Sequence, residues 1–134
     1  MTARLLLPAL VLAASAEAHG ADAECNVLKA IVSHAPNGFA VLEGELTNNS
    51  PDGNPTQRWA TVPMPGSDGC VINFHTHYYC GYPEGTGLDA LTARVARCLK
   101  DAKRVNPQVF ETPNGARVSV FDEYDQVELI VEMP

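Results

Sequence analysis

The sequence is short of positive charge. Nine lysines and arginines face sixteen aspartates and glutamates, a formal charge of −7. That shortage argues against binding nucleic acid or an anionic membrane surface, both of which draw on a basic patch. It favours a basic partner, although an acidic surface also serves simple solubility. No Gly-x-Ser-x-Gly elbow is present, so the usual serine-hydrolase signature is missing. No Cys-x-x-Cys spacing is present, so the common zinc-site pattern is missing too. The turn Gly81–Gly87 (GYPEGTG) has no Gly-Lys-Ser/Thr ending and carries Glu84, which repels phosphate. Internal repeats, low-complexity tracts and a composition break that would mark a second domain are absent. These gaps lead to the expectation of a protein that is not an enzyme and carries no cofactor.

Export is what the N-terminal segment points to. Met1–Arg4 holds one positive charge and Leu5–Ala16 is apolar, too short to span a bilayer and followed by small residues. Residues 1–23 are therefore expected to form a signal peptide cut after Ala23, with cuts after Ala16 or Ala18 also open. Residues 24–134 are expected to form a single secreted or periplasmic domain, with no membrane insertion of the mature chain. A cut after Ala18 gives the start His19-Gly20. A free amine and imidazole with a second histidine is similar to the copper brace of lytic polysaccharide monooxygenases and some periplasmic copper carriers, a resemblance of two residues that implies bound copper.

The cysteines Cys25, Cys70, Cys80 and Cys98 are most economically two disulfides in an oxidising compartment. If Cys70 to Cys80 (CVINFHTHYYC) is one extended strand, ten steps of ~3.3 Å separate its ends by roughly 33 Å, whereas a disulfide holds Cα atoms within about 7 Å. Unless that strand folds back, the expected pairing is Cys70 with Cys98 and Cys25 with Cys80.

Periodicity gives the elements. Cys70, Ile72, Phe74, Thr76, Tyr78 and Cys80 fall on an apolar strand face, and Val71, Asn73, His75, His77 and Tyr79 on the other. Leu88, Leu91, Val95, Cys98, Leu99 and Ala102 form a helical stripe, with Thr86 or Asp89 helping it begin and Lys100, Lys103 and Arg104 in its last turns. Further strands are expected at Asn26–His34, where a short helix is the alternative, and at Phe39–Leu46, Trp59–Met64, Gln108–Glu111, Ala116–Phe121 and Val127–Met133. Polar loops are expected at Thr47–Thr56, which contains the acceptor pattern Asn48-Asn49-Ser50, and at Asp122–Gln126. The sum is an α+β fold in two layers: an antiparallel sheet of about six or seven strands, order β-β-β-β-α-β-β-β, with one amphipathic helix across one face.

For function, the composition suits an exported, acidic, disulfide-held binding protein of inhibitor or immunity type, acting on a basic protein partner. The candidate contact residues are Asp122, Glu123, Tyr124 and Asp125 in the acidic loop, and Trp59, which either fills the core or anchors a partner. The alternative is zinc or copper on His75 and His77, which share a strand face if the strand is continuous and need a third ligand. Glu43 and Glu45 share a face as paired carboxylates do, and a solvated face shows the same alternation.

Overall fold

A computed structural model describes residues 20–47 and 57–134. Helix α1 occupies residues 20–34 and two 3-10 turns follow, Ala35–Asn37 and Ala40–Leu42. The strands are β1 (Glu43–Leu46), β2 (Gln57–Ala60), β3 (Gly69–Asn73) and β4 (His77–Gly81), then helix α2 (Leu88–Cys98), then β5 (Lys103–Asn106), β6 (Val109–Glu111), β7 (Arg117–Glu123) and β8 (Gln126–Glu132). They form one eight-stranded antiparallel sheet in the order β1-β2-β3-β4-β8-β7-β6-β5. The fold is α+β, with eight strands instead of six or seven and two helices instead of one.

Three expectations change, each for a physical reason. Asn26–His34 is helix, because Leu28, Ile31, Val32 and Ala35 fall on one buried stripe at helical spacing. The Phe39–Leu46 strand keeps only its second half, since Gly38 and Phe39 take left-handed conformations and the 3-10 turn at Ala40–Leu42 intervenes. Helix α2 stops at Cys98 instead of running to Arg104. Lys103 and Arg104 lie in the edge strand β5, where charged side chains blunt an open sheet edge. The helix starts at Gly87 with no side-chain cap, so neither Thr86 nor Asp89 caps it, though Asp89 sits in the first turn.

The disulfide pairing also changes. The bonds are Cys25–Cys98 and Cys70–Cys80. The Cys70–Cys80 stretch is not one strand but a hairpin, with Cys70 directly opposite Cys80 and their Cα atoms 4.2 Å apart. The turn uses Phe74 and His75 at positive φ and closes through the Thr76 N–H donating to the Asn73 carbonyl, 3.0 Å. Neither residue is a turn former, so no glycine, proline or asparagine pair announced the reversal. Gly38 supports it from below. Its backbone packs so close to His75 that a Cβ there would stand 2.3 Å from the His75 carbonyl oxygen.

Both helices cover the same side of the sheet. The inward residues Cys70, Ile72, Tyr78, Cys80, Val118, Val120, Leu129 and Val131 are buried with Leu91 and Val95 of α2 and Leu28 and Ile31 of α1. Cys25–Cys98 ties helix to helix, and Glu24 accepts two hydrogen bonds from Arg94, at 3.0 and 2.9 Å. Asn114, in the β6–β7 turn, donates to the Val32 carbonyl at 3.0 Å and fixes α1 on the sheet. The other side of the sheet carries no element among the described residues.

Candidate functional site

The uncovered side of the sheet is organised in rows that run across the strands. Register places Trp59 opposite Val71, Val71 opposite Tyr79, and Tyr79 opposite Ile130, with Ser119 and Val109 continuing the row. The row is mostly apolar, yet its members are half-buried or exposed, because the covering layer lies on the other side. A polar row runs beside it: Gln57 donates to Asn73 at 2.9 Å, His77 pairs with Glu132 at 2.8 Å, and Arg117 pairs with Glu111 at 3.4 Å. Cross-strand pairs like these contribute a few tenths to about 1 kcal/mol each and fix side-chain positions more than they fix stability. The Arg117 Nε is buried without a hydrogen-bond partner among the described residues.

On the other flank lie Gly69 and Gly81, opposite one another, then Glu128 and Phe121. Glycine at position 69 leaves space beside the Trp59 ring, which stays about half exposed, 48%. Glu123, Glu128 and Glu132 surround Tyr79. Burial pushes the Tyr79 hydroxyl above its ordinary range, and these three carboxylates push it further. Burial also raises the Glu128 carboxyl, with Glu123 adding to the shift. Carboxylates held this way gain from any cation brought between them.

The acidic loop proposed at Asp122–Gln126 is tighter than its sequence suggested. Strands β7 and β8 run to Glu123 and Gln126, leaving Tyr124 and Asp125 as a two-residue turn, both at positive φ as a type I′ hairpin requires. Tyr124 is 93% exposed, with Asp122, Glu123 and Asp125 exposed around it. Glu123 is shared by this hairpin and the carboxylate group about Tyr79, so the two candidate surfaces meet.

The histidines separate. His77 lies on the open face, its Nδ1 within 2.6 Å of the Thr76 hydroxyl and its ring 6.2 Å from that of Tyr79. His75 sits in the turn instead and bonds Glu43 on β1. Two imidazoles that would share a side of a continuous strand thus engage different carboxylates. No group of three or more His, Cys, Asp or Glu side chains able to hold a metal occurs among the described residues. His19 and the Asn48-Asn49-Ser50 acceptor pattern lie outside those residues. Glu43 and Glu45 do not act as a pair, since Glu43 is tied to Arg58 and His75 while Glu45 is exposed.

Val71, Tyr79, Ile130, Glu128 and Arg117 were not singled out by motif. Alternation alone marks them as the face opposite the core stripe, which is the signal that could have found them. Comparison with protein families, with curated proteins and with solved structures returns no match.

Proposed function

We propose that the protein is an exported, non-enzymatic binding protein of inhibitor or immunity type. It takes a basic protein partner on the open face of its sheet. The observation that carries this reading is the apolar row Trp59–Val71–Tyr79–Ile130, left half-exposed beside Glu123 and Glu128. Apolar centres ringed by charge are how protein interfaces are built, and tryptophan, tyrosine and arginine supply most hot spots. A lysine or arginine of the partner fits between the carboxylates around Tyr79, where its charge relieves their repulsion and its stem covers the ring. The β7–β8 hairpin, with Asp122, Glu123, Tyr124 and Asp125, forms the rim that steers approach.

Export is part of the same proposal. Two disulfides are consistent with an oxidising compartment, and no helix among the described residues is long and apolar enough to cross a membrane. The test is affinity capture from the exported fraction with the wild-type protein and with the Trp59→Ala/Tyr79→Ala variant side by side. The reading predicts a basic protein retained by the first, released by salt, and absent from the second. Equal capture by both forms removes the open face from the account.

A further inference from the structure

A cavity of ≈ 560 Å³ opens on the helical side of the molecule, away from the open sheet face, between α1, the end of α2 and the β6–β7 turn. Its size lies within the range of about 300–1,000 Å³ usual for small-ligand sites. The buried and half-buried part of the lining is apolar, the Cys25–Cys98 disulfide with Val32, Leu99 and Ala102, and Pro113 stands exposed at its edge. The walls carry three cations, Lys29, Arg97 and Lys100.

Of the four described cations without an ion pair or hydrogen bond among the described residues, three line this cavity and Lys103 lies outside it. Arg58, Arg94, Arg104 and Arg117 are all engaged, with Gly44, Glu24, Pro107 and Glu111 respectively. Lys29, Arg97 and Lys100 form no ion pair or hydrogen bond among the described residues. Arg97 and Lys100 also complement the negative end of α2. That does not account for Lys29, which lies in the middle of α1 and reaches the cavity from the other wall. Asp22 and Asp101 line the same space and offset part of the charge, leaving an excess of cations in a protein of net charge −7. Ala21 and Asp22 precede the expected cut after Ala23, so a chain cut there loses these two lining residues and keeps the three cations.

We infer that this cavity binds a small organic anion, a carboxylate with a short apolar tail, its tail on Val32, Leu99 and Ala102 and its charge among Lys29, Arg97 and Lys100. The inference is independent of the proposed partner surface, since the two lie on opposite sides of the sheet.

The test is a titration of the isotope-labelled exported chain with octanoate, followed by amide NMR. Saturable shifts are expected at Lys29, Val32, Arg97–Ala102 and Thr112. Arg97→Glu/Lys100→Glu lowers affinity about tenfold or more; both residues are exposed, and the thermal midpoint should fall only by the few degrees that losing two cations at the end of α2 costs. Lys103→Glu removes a cation outside the cavity and should change affinity by less than about twofold. Octanol, with the tail alone, and acetate, with the charge alone, should each bind about tenfold more weakly than octanoate. Four results overturn the inference: no shift up to about 10 mM octanoate, shifts scattered away from the cavity, equal loss in Lys103→Glu, or octanol binding as well as octanoate.

Discussion

The ring of Trp59 lies over Gly69: a Cβ added to that glycine would stand 3.8 Å from the indole Cζ3. Gly69 also holds φ at 137°, a conformation side chains rarely adopt. Local backbone, a missing side chain and the one tryptophan therefore combine to lay an aromatic surface across β2 and β3. Gly69→Ala should destabilise the fold by about 1–2 kcal/mol through backbone strain and shift the tryptophan emission. An unchanged spectrum and unfolding curve would mean the indole is not held there.

Glu128 gives a pH dependence with a definite sign. Its carboxyl is raised in the folded protein by burial and by Glu123, so the folded state holds that proton to higher pH than the unfolded state does. Stability from this group is accordingly present at low pH and falls as pH rises from the ordinary glutamate range through the raised value. Glu128→Gln should flatten that fall and raise the urea midpoint at neutral pH. Urea unfolding of both forms from about pH 4 to about pH 7 checks it. Parallel curves would place Glu128 in ordinary solvent.

How far the sequence revealed the fold is best judged from the Cys70–Cys80 segment. Alternation assigned Val71, Asn73, His77 and Tyr79 to the outer face, and they are there even though the strand reverses. The loop Phe74–His75–Thr76 spans an odd number of residues, so parity carries through from Asn73 to His77. The reversal was not readable, because its cause is non-local: the Cys70–Cys80 bond, Gly38 beneath His75, and Glu43 beyond it. Asn26–His34 reads as a strand because the turn signal Pro36-Asn37-Gly38 and the apolar run Phe39–Leu46 after it imitate a hairpin, while its stripe, Leu28, Ile31, Val32 and Ala35, is as short as two helical turns. Of the candidate site, Trp59 and the acidic hairpin were legible as residue types. Their joining through Tyr79 and Glu128 depends on β4 pairing with β8, which sequence proximity does not suggest.

The two disulfides should differ in weight. Cys25–Cys98 closes a separation of 73 residues and Cys70–Cys80 one of 10. Chain entropy predicts losses of about 4 and about 3 kcal/mol on their removal. Paired serine variants, Cys25→Ser/Cys98→Ser and Cys70→Ser/Cys80→Ser, compared by denaturant unfolding, should show the larger loss for the first. The reverse order would mean that α1 is held chiefly by Glu24–Arg94 and core packing.

Tyr124 separates stability from binding. It occupies a positive-φ turn position at which tyrosine is costly, and it is almost wholly exposed. Tyr124→Asn should stabilise the hairpin by up to about 1 kcal/mol while weakening partner association. Charge reversal of Asp122, Glu123 and Asp125 should slow association and reduce its salt dependence with little effect on folding. Stability and association rate measured on the same variants decide this; unaltered association would exclude the hairpin from the interface.

The most direct measurement is amide hydrogen exchange on the captured complex, strand by strand. The account predicts new protection along β2, β4, β8 and the Tyr124–Asp125 turn, with quenching or enhancement of Trp59 emission on binding. Protection confined to the helices or to the β5 edge, with Trp59 emission unmoved, would contradict recognition through the open face.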